Sequence, residues 1–288
     1  MIGLRPLLAS RAGPGPAASR PELELSGPKL AIALEALVVK SEEFGGVERY
    51  VDALKLKTTL FANALGGGRA PAVDAKTLRQ LLALLATVRR RIGPWLDAGG
   101  AETLRERIAR LLDEAADTAH ADRALAGFCA AWPDDRAHRW VRDLGAEILH
   151  NTDPGRFPLM CRWVWDRRSN TGVLRELWHT EDVDRITIQI PDGYDTFVAL
   201  REELSQYLTT NGVYRDVLQY VDLLTAQVYA EYITEQAGSY LRTDFQGPED
   251  PMLHTRRMLG LDVAPGGRSR LKAFDGRAAV AEAPRLAG

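Results

Sequence analysis

The chain has 288 residues, 45% hydrophobic and 26% charged, the proportions of a globular protein rather than of a disordered or fibrous one. Its 37 basic and 39 acidic residues leave a net charge of -2, which implies neither a nucleic-acid coat nor a trap for acidic substrates. Two cysteines, Cys129 and Cys161, are too few for a disulfide framework or a Cys-based zinc site.

Residues 1–25 and 261–288 are rich in Pro, Gly, Ala and Arg, lack hydrophobic periodicity, and read as disordered tails around a folded part, 26–260. Arg5, Arg11 and Arg20 stand in the first tail with no acid beside them. The continuous apolar stretch of a targeting peptide does not follow them, and the chain reads as cytoplasmic. Ser26 and Pro28 open a first helix with Leu30, Leu34 and Leu37 on one face, ended near Gly45-Gly46. Its apolar run, Leu30 to Val39, is interrupted by Glu35 and falls short of the ~18 residues of a membrane span.

A second helix carries Val47, Val51, Leu54 and Thr58 on one stripe, and Gly66-Gly67-Gly68 breaks it. A third is expected from Asp74 to Ile92. Leu78, Leu81, Leu82 and Leu85 form its stripe, and Arg89-Arg90-Arg91 fall in its last turn, where cations complement the carbonyl end of the dipole. A fourth, 101–117, turns Leu104, Ile108, Leu111 and Leu112 inward. This N-terminal helical part, 26–117, shows no residue pattern that suggests chemistry.

The aromatic and arginine-rich part, 118–260, which could form one domain with 26–117, differs. Pro154 and Pro158 shorten its helices, and Arg185-Ile186-Thr187-Ile188-Gln189-Ile190 alternates apolar with polar residues, the period of a half-buried strand ended by Pro191. Beyond Asp192-Gly193 a helix with Phe197, Leu200, Leu204, Tyr207 and Leu208 inward is closed by Asn211-Gly212. A longer one, Val213 to Gln236, repeats Val217, Tyr220, Val221, Leu224 and Val228. The fold class expected is mainly α: a multi-helix bundle or array of amphipathic helices with one short strand or hairpin near 185–190 and a C-terminal antiparallel helix pair.

Five of the six tryptophans, Trp132, Trp140, Trp163, Trp165 and Trp178, share one stretch with Arg136, Arg139, Arg142, Arg156, Arg162, Arg167, Arg168 and Arg175. One reading makes the rings a core in which each indole N–H meets a carbonyl. The sharper reading makes Arg136, Arg139, Trp140, Arg142, Arg162, Trp163, Trp165, Arg167 and Arg168 a surface for a partner protein, since these residue types are enriched at binding hot spots. Asp134, Asp135, Asp143, Glu147, Asp153, Asp166 and Glu176 nearly cancel the arginines, which argues against a nucleic-acid surface.

Glu147-Ile148-Leu149-His150 and Glu176-Leu177-Trp178-His179 repeat one spacing, which on a helix offers a carboxylate and an imidazole on one face. Carboxylate-bridged di-iron and di-manganese bundles use two such motifs and two further glutamates. The candidate ligands for iron, manganese or zinc are therefore Glu147, His150, Glu176 and His179, with Asp143, Glu203 or Asp222 to complete a set. Both histidines also fall at expected helix ends, where capping explains them. Asp222, which interrupts the stretch Tyr220 to Leu224, reads as solvent-facing or paired with an arginine, and Cys161, between Met160 and Trp163, as inert core.

Three readings follow. The first is a non-catalytic accessory or adaptor protein that binds a partner protein through 132–179. The alternative is a metal-dependent enzyme with an anionic small substrate, and the second alternative is a nucleic-acid-binding protein. The sequence fits no membrane protein and selects no oligomeric state.

Overall fold

Apolar residues at helical spacing, punctuated by Ser, Asp, Gly and Pro, dictate a succession of helices, and the computed structural model contains eleven α-helices among the residues it describes, 20–180, 185–238 and 250–262. They are α1 (Gly27–Glu42), α2 (Val47–Leu65), α3 (Ala75–Ala83), α4 (Arg89–Asp97), α5 (Ala101–Glu114), α6 (Ala121–Ala130), α7 (Trp140–Thr152), α8 (Val173–Leu177), α9 (Tyr194–Thr210), α10 (Val217–Gly238) and α11 (Leu253–Met258). The mainly α fold read from the sequence is what the chain adopts. Most of the two expected tails lies outside the described residues. Residues 20–25 are described, and they run against α8: Leu25 forms an isolated bridge with Trp178, and Leu23 is buried.

At α1 and α3 the N-caps are those the sequence indicates, whereas α9 starts on Gly193 with no side-chain cap, Asp195 and Thr196 lying inside it. Ser26 Oγ accepts from the Lys29 N–H at 3.5 Å, and Asp74 Oδ1 accepts from the Lys76 and Thr77 N–H groups, both at 2.9 Å. After α9 the chain turns through Gly212, at φ +93°, while the Val213 N–H reaches back to Leu208 O at 3.0 Å, a Schellman closure. The turn brings α10 back along α9 as the expected helix pair.

Two helices organise the rest. Nearly every residue of α7 from Trp140 to Asn151 is buried, and α7 packs on α2, α5 and α6. α10 packs on α1, α2, α8, α9 and α11. Gly145 lets α6 come close to α7, because a Cβ there would lie 2.6 Å from Leu125 Cδ1 and 3.0 Å from Phe128 Cδ1. One contiguous cluster of buried apolar residues runs from Leu23 to Leu261. Among the described residues no helix is long and apolar enough to cross a membrane.

Two elements differ from expectation. The third helix is not continuous from 74 to 92: α3 stops at Ala83, and a turn at 84–88 separates it from α4. The leucine stripe is right, since Leu78, Leu81, Leu82 and Leu85 are all buried. At the break, Leu84 O lies so close to Gly260, at φ +70°, that a Cβ there would sit 1.7 Å away, a neighbour that no local pattern reveals. The three arginines therefore stand in the first turn of α4, not the last turn of a longer helix, and Arg89 is held by a bidentate pair with Asp262, both contacts 2.7 Å.

The second correction is the strand. Residues 186–190 alternate as expected, Ile188 buried and Thr187 and Gln189 exposed, but no ladder forms. The side-chain amide of Asn170 stands in for a neighbouring strand: its Nδ2 donates to Ile186 O at 3.0 Å and its Oδ1 accepts from the Ile188 N–H at 3.0 Å. Among the described residues the only β pairings are two isolated bridges, Leu25 with Trp178 and Asp166 with Thr171.

Candidate functional site

The aromatic and arginine-rich segment separates into a core and a cleft. Trp132, Trp140, Trp163 and Trp165 are buried, so the rings are packing elements first. Trp132 packs between Trp95, tilted against it at 4.9 Å, and Trp140, edge-on at 5.3 Å, with the Arg107 guanidinium 4.7 Å above its ring. Trp165 Nε1 donates to Ile190 O at 3.1 Å, as a buried indole should. The Nε1 groups of Trp132 and Trp163 are buried with no hydrogen-bond partner among the described residues.

Against this core lies a cleft of about 770 Å³, walled by α6, the 131–139 loop, the first turn of α7, the 162–168 hairpin and the entry to α9. That volume is within the roughly 300–1,000 Å³ of ligand pockets. Of the nine residues expected to form a surface, Arg139, Arg142, Arg162 and Arg168 line it. Arg136 and Arg167 are exposed but do not line it, and the three tryptophans of that set are in the core.

Local chemistry fixes each wall. Asp166 Oδ1 accepts from the Arg168 N–H at 3.0 Å and the Ser169 N–H at 3.3 Å, an aspartate turn that presents the two arginines at the hairpin tip. Arg142 donates to Asp192 Oδ2 at 2.8 Å and to its carbonyl at 2.6 Å, which ties α7 to the entry of α9. Arg162 grips buried Asp143 through Nη2 at 2.7 Å and Nε at 3.2 Å. Asp122 Oδ1 accepts the Tyr194 N–H at 2.8 Å, a carboxylate at a helix N-terminus. Partial burial raises the Asp122 pKa even though this hydrogen bond opposes it. Asp135 holds the Ala137 and His138 N–H groups and His138 Nδ1. Cys129 lies in the cleft wall, and burial pushes its thiol up to about 11, so it is neither charged nor nucleophilic at neutral pH.

Glu147 and His150 are on α7 and buried, but each is met by a protein partner. Glu147 accepts the Thr87 hydroxyl and lies 3.9 Å from the buried ammonium of Lys57, which itself donates to Leu259 O at 2.9 Å. Burial is the largest influence on both, lowering the Lys57 pKa and raising that of Glu147. Both nitrogens of His150 face acceptors, Nδ1 at 2.9 Å from Phe157 O and Nε2 at 3.1 Å from Asp222 Oδ2. A carbonyl and a carboxylate only accept, so both nitrogens must donate and the ring is an imidazolium. Burial by itself would lower its pKa, but the charge and hydrogen bond of Asp222 and the Phe157 carbonyl raise it overall. A cavity of about 20 Å³ beside this pair has room for one water.

The second spacing is not on a helical face. α8 ends at Leu177, Trp178 is extended, and His179 is exposed with its N–H on Glu24 O at 2.8 Å, while Glu176 is half-buried on α8. Among the described residues no three His, Cys, Asp or Glu side chains are grouped to hold a metal ion. Glu203 is exposed, and Asp222 is buried against His150, neither solvent-facing nor paired with an arginine. Cys161 is fully buried, and burial first, then Glu147 and Asp143, pushes its thiol well up, the behaviour of inert core.

Lys57 and the cleft aspartates Asp122 and Asp192 were not singled out from the sequence. Lys57 had a signal: it stands three residues after Leu54 and four before Phe61, on the buried stripe of α2. The chain matches no protein-family model, no curated protein and no solved structure.

Proposed function

We propose that this chain is a non-catalytic accessory or adaptor protein whose cleft receives a segment of a partner protein. The cleft itself carries the reading: four arginines from the singled-out segment line one ligand-sized concavity backed by a tryptophan cluster. The groups that would serve chemistry have other engagements. Glu147 and His150 are bound up with Lys57, Thr87 and Asp222 in the core, and the thiol in the cleft is held protonated by burial. Cytoplasmic residence belongs to the same reading and is supported by two free cysteines that form no disulfide.

The test is site-specific photo-crosslinking in cells of the source organism. A benzophenone side chain at Arg167, exposed beside the cleft, is compared with one at Asp52, exposed on α2. A discrete adduct formed from position 167 alone, and lost when Arg139→Glu and Arg168→Glu are added, is the expected result. An adduct indifferent to those charge reversals, or none from either position, would sink the reading.

A further inference from the structure

We infer that the cleft receives a basic stretch of the partner, with two lysine or arginine side chains seated on its carboxylates while Arg139 and Arg168 donate to main-chain carbonyls of the same stretch. This rests on the binding-module reading above and adds the chemistry of the occupant. The sign of the charge comes from which groups are already paired. Five aspartates and four arginines line the cleft. Arg142 is neutralised by Asp192, and Arg162 by Asp143, which lies outside the lining. Asp122, Asp134, Asp135 and Asp166 are therefore left with only Arg139 and Arg168 against them, an excess of two negative charges with the His138 imidazole neutral. An acidic or phosphorylated stretch meets net repulsion there, and two cations are what balance it.

The same carboxylates are short of donors. Asp122, Asp135 and Asp166 each commit Oδ1 to backbone N–H groups that hold the walls in place, and their Oδ2 atoms accept no hydrogen bond among the described residues. Asp134 is exposed and engages neither oxygen. The lining also holds the aliphatic Leu125, Ala126, Ala130 and Val141, which suit the methylene stem of a lysine or arginine whose charged head reaches a carboxylate.

The two arginines decide between a peptide and a simple polyamine. Both are exposed, and neither guanidinium has a hydrogen bond or ion pair among the described residues. A diamine would satisfy the aspartates but offer these donors nothing and be repelled by them. An extended peptide brings carbonyl oxygens, neutral acceptors carried by the same stretch as its basic side chains. Glutamate at 139 and 168 would draw the cations in but could not donate to carbonyls, so the stretch would lose its register and the crosslink its discrete product.

The probes are the blocked pentapeptide Ala-Lys-Ala-Lys-Ala, its counterparts with Gln or Glu for Lys, and the diamine cadaverine, titrated into the full chain while backbone amide resonances are followed by NMR. The reporters are the Ala137, His138, Arg168 and Ser169 N–H groups, which are bound to the cleft carboxylates of Asp135 and Asp166. The Lys peptide is expected to shift them with saturation, and the Gln peptide to bind roughly tenfold more weakly or worse, the loss typical of a charge-assisted hydrogen bond. Cadaverine should bind more weakly than the Lys peptide, and Arg139→Ala with Arg168→Ala should narrow that gap. Asp134→Asn, an exposed change that leaves the rest of the spectrum in place, should weaken the Lys peptide roughly threefold. Equal binding of Lys and Gln peptides, tighter binding of the Glu peptide, cadaverine matching the Lys peptide, indifference to Asp134→Asn, or no saturable shift at the four amides would each overturn the inference. The crosslink from position 167 separates the two claims. If it survives while the peptides fail, the occupant's chemistry is wrong and the binding module stands; if both fail, the module falls with it.

Discussion

Asp222 keeps His150 charged inside the protein, and a buried charge stripped of its partner is far costlier than a broken surface pair. Asp222→Ala is therefore expected to destabilise the chain by about 3–5 kcal/mol in urea denaturation, whereas the double change His150→Leu with Asp222→Leu, which removes both charges, should recover most of that loss. The pair also makes stability depend on pH in a defined direction. His150 has a folded pKa above the ~6.5 of an unfolded chain, so the folded state holds the proton more tightly. Its contribution is complete below about pH 6.5 and lost as pH rises through the folded value. The difference in unfolding free energy between wild type and Asp222→Asn should shrink steadily over that rise, and a difference independent of pH would contradict the imidazolium assignment. At this scale legibility was uneven. Glu147 and His150 stood out by spacing, but their partners Lys57 and Asp222 lie 90 and 72 residues away, and sequence spacing carries no information about such encounters.

Elements were legible wherever one face decides them. α1, α2, α5 and the α9–α10 pair follow from their apolar stripes, helped by the Ser26 cap of α1 and the Gly212 closure after α9. Residues 186–190 show the limit. Their alternation correctly marks Ile188 as inward, yet alternation says nothing about what satisfies the backbone, and here one side-chain amide, not a strand, does so. Asn170 suits the task twice over: its φ of 52° is a left-handed conformation that asparagine tolerates better than most residues, and its amide both donates and accepts. Asn170→Ala should therefore cost about 2 kcal/mol, from two backbone groups losing partners and from backbone strain. Hydrogen exchange gives the specific readout. The Ile188 amide should lose protection well beyond the global change, and an amide whose protection falls only in step with global stability would mean the Asn170 contact is incidental.

At the scale of the molecule, composition located the arginine-rich segment but not which of its arginines are free. Arg142 is silenced by Asp192 and Arg162 by Asp143, while Arg139 and Arg168 are left open, a division set by packing between α6, α7 and the start of α9. The change in character near residue 117 left open whether the two parts are separate or one domain, and the packing crosses it repeatedly. Glu24 and Ser26 bond to the backbone around α8, Lys40 pairs with Glu231 at 3.1 Å, and Lys57 reaches both Glu147 and Leu259. Each of these contacts joins residues more than eighty positions apart, so neither part can satisfy its buried charges or cover its apolar face alone. Thermal unfolding should accordingly be one cooperative transition whose calorimetric and van't Hoff enthalpies agree. Residues 26–117 expressed alone should lack a cooperative transition, because Lys57 and the inner face of α2 would have lost α7 and α10. Two resolved transitions in the full chain, or a cooperatively folding fragment, would instead place a domain boundary where the composition changes.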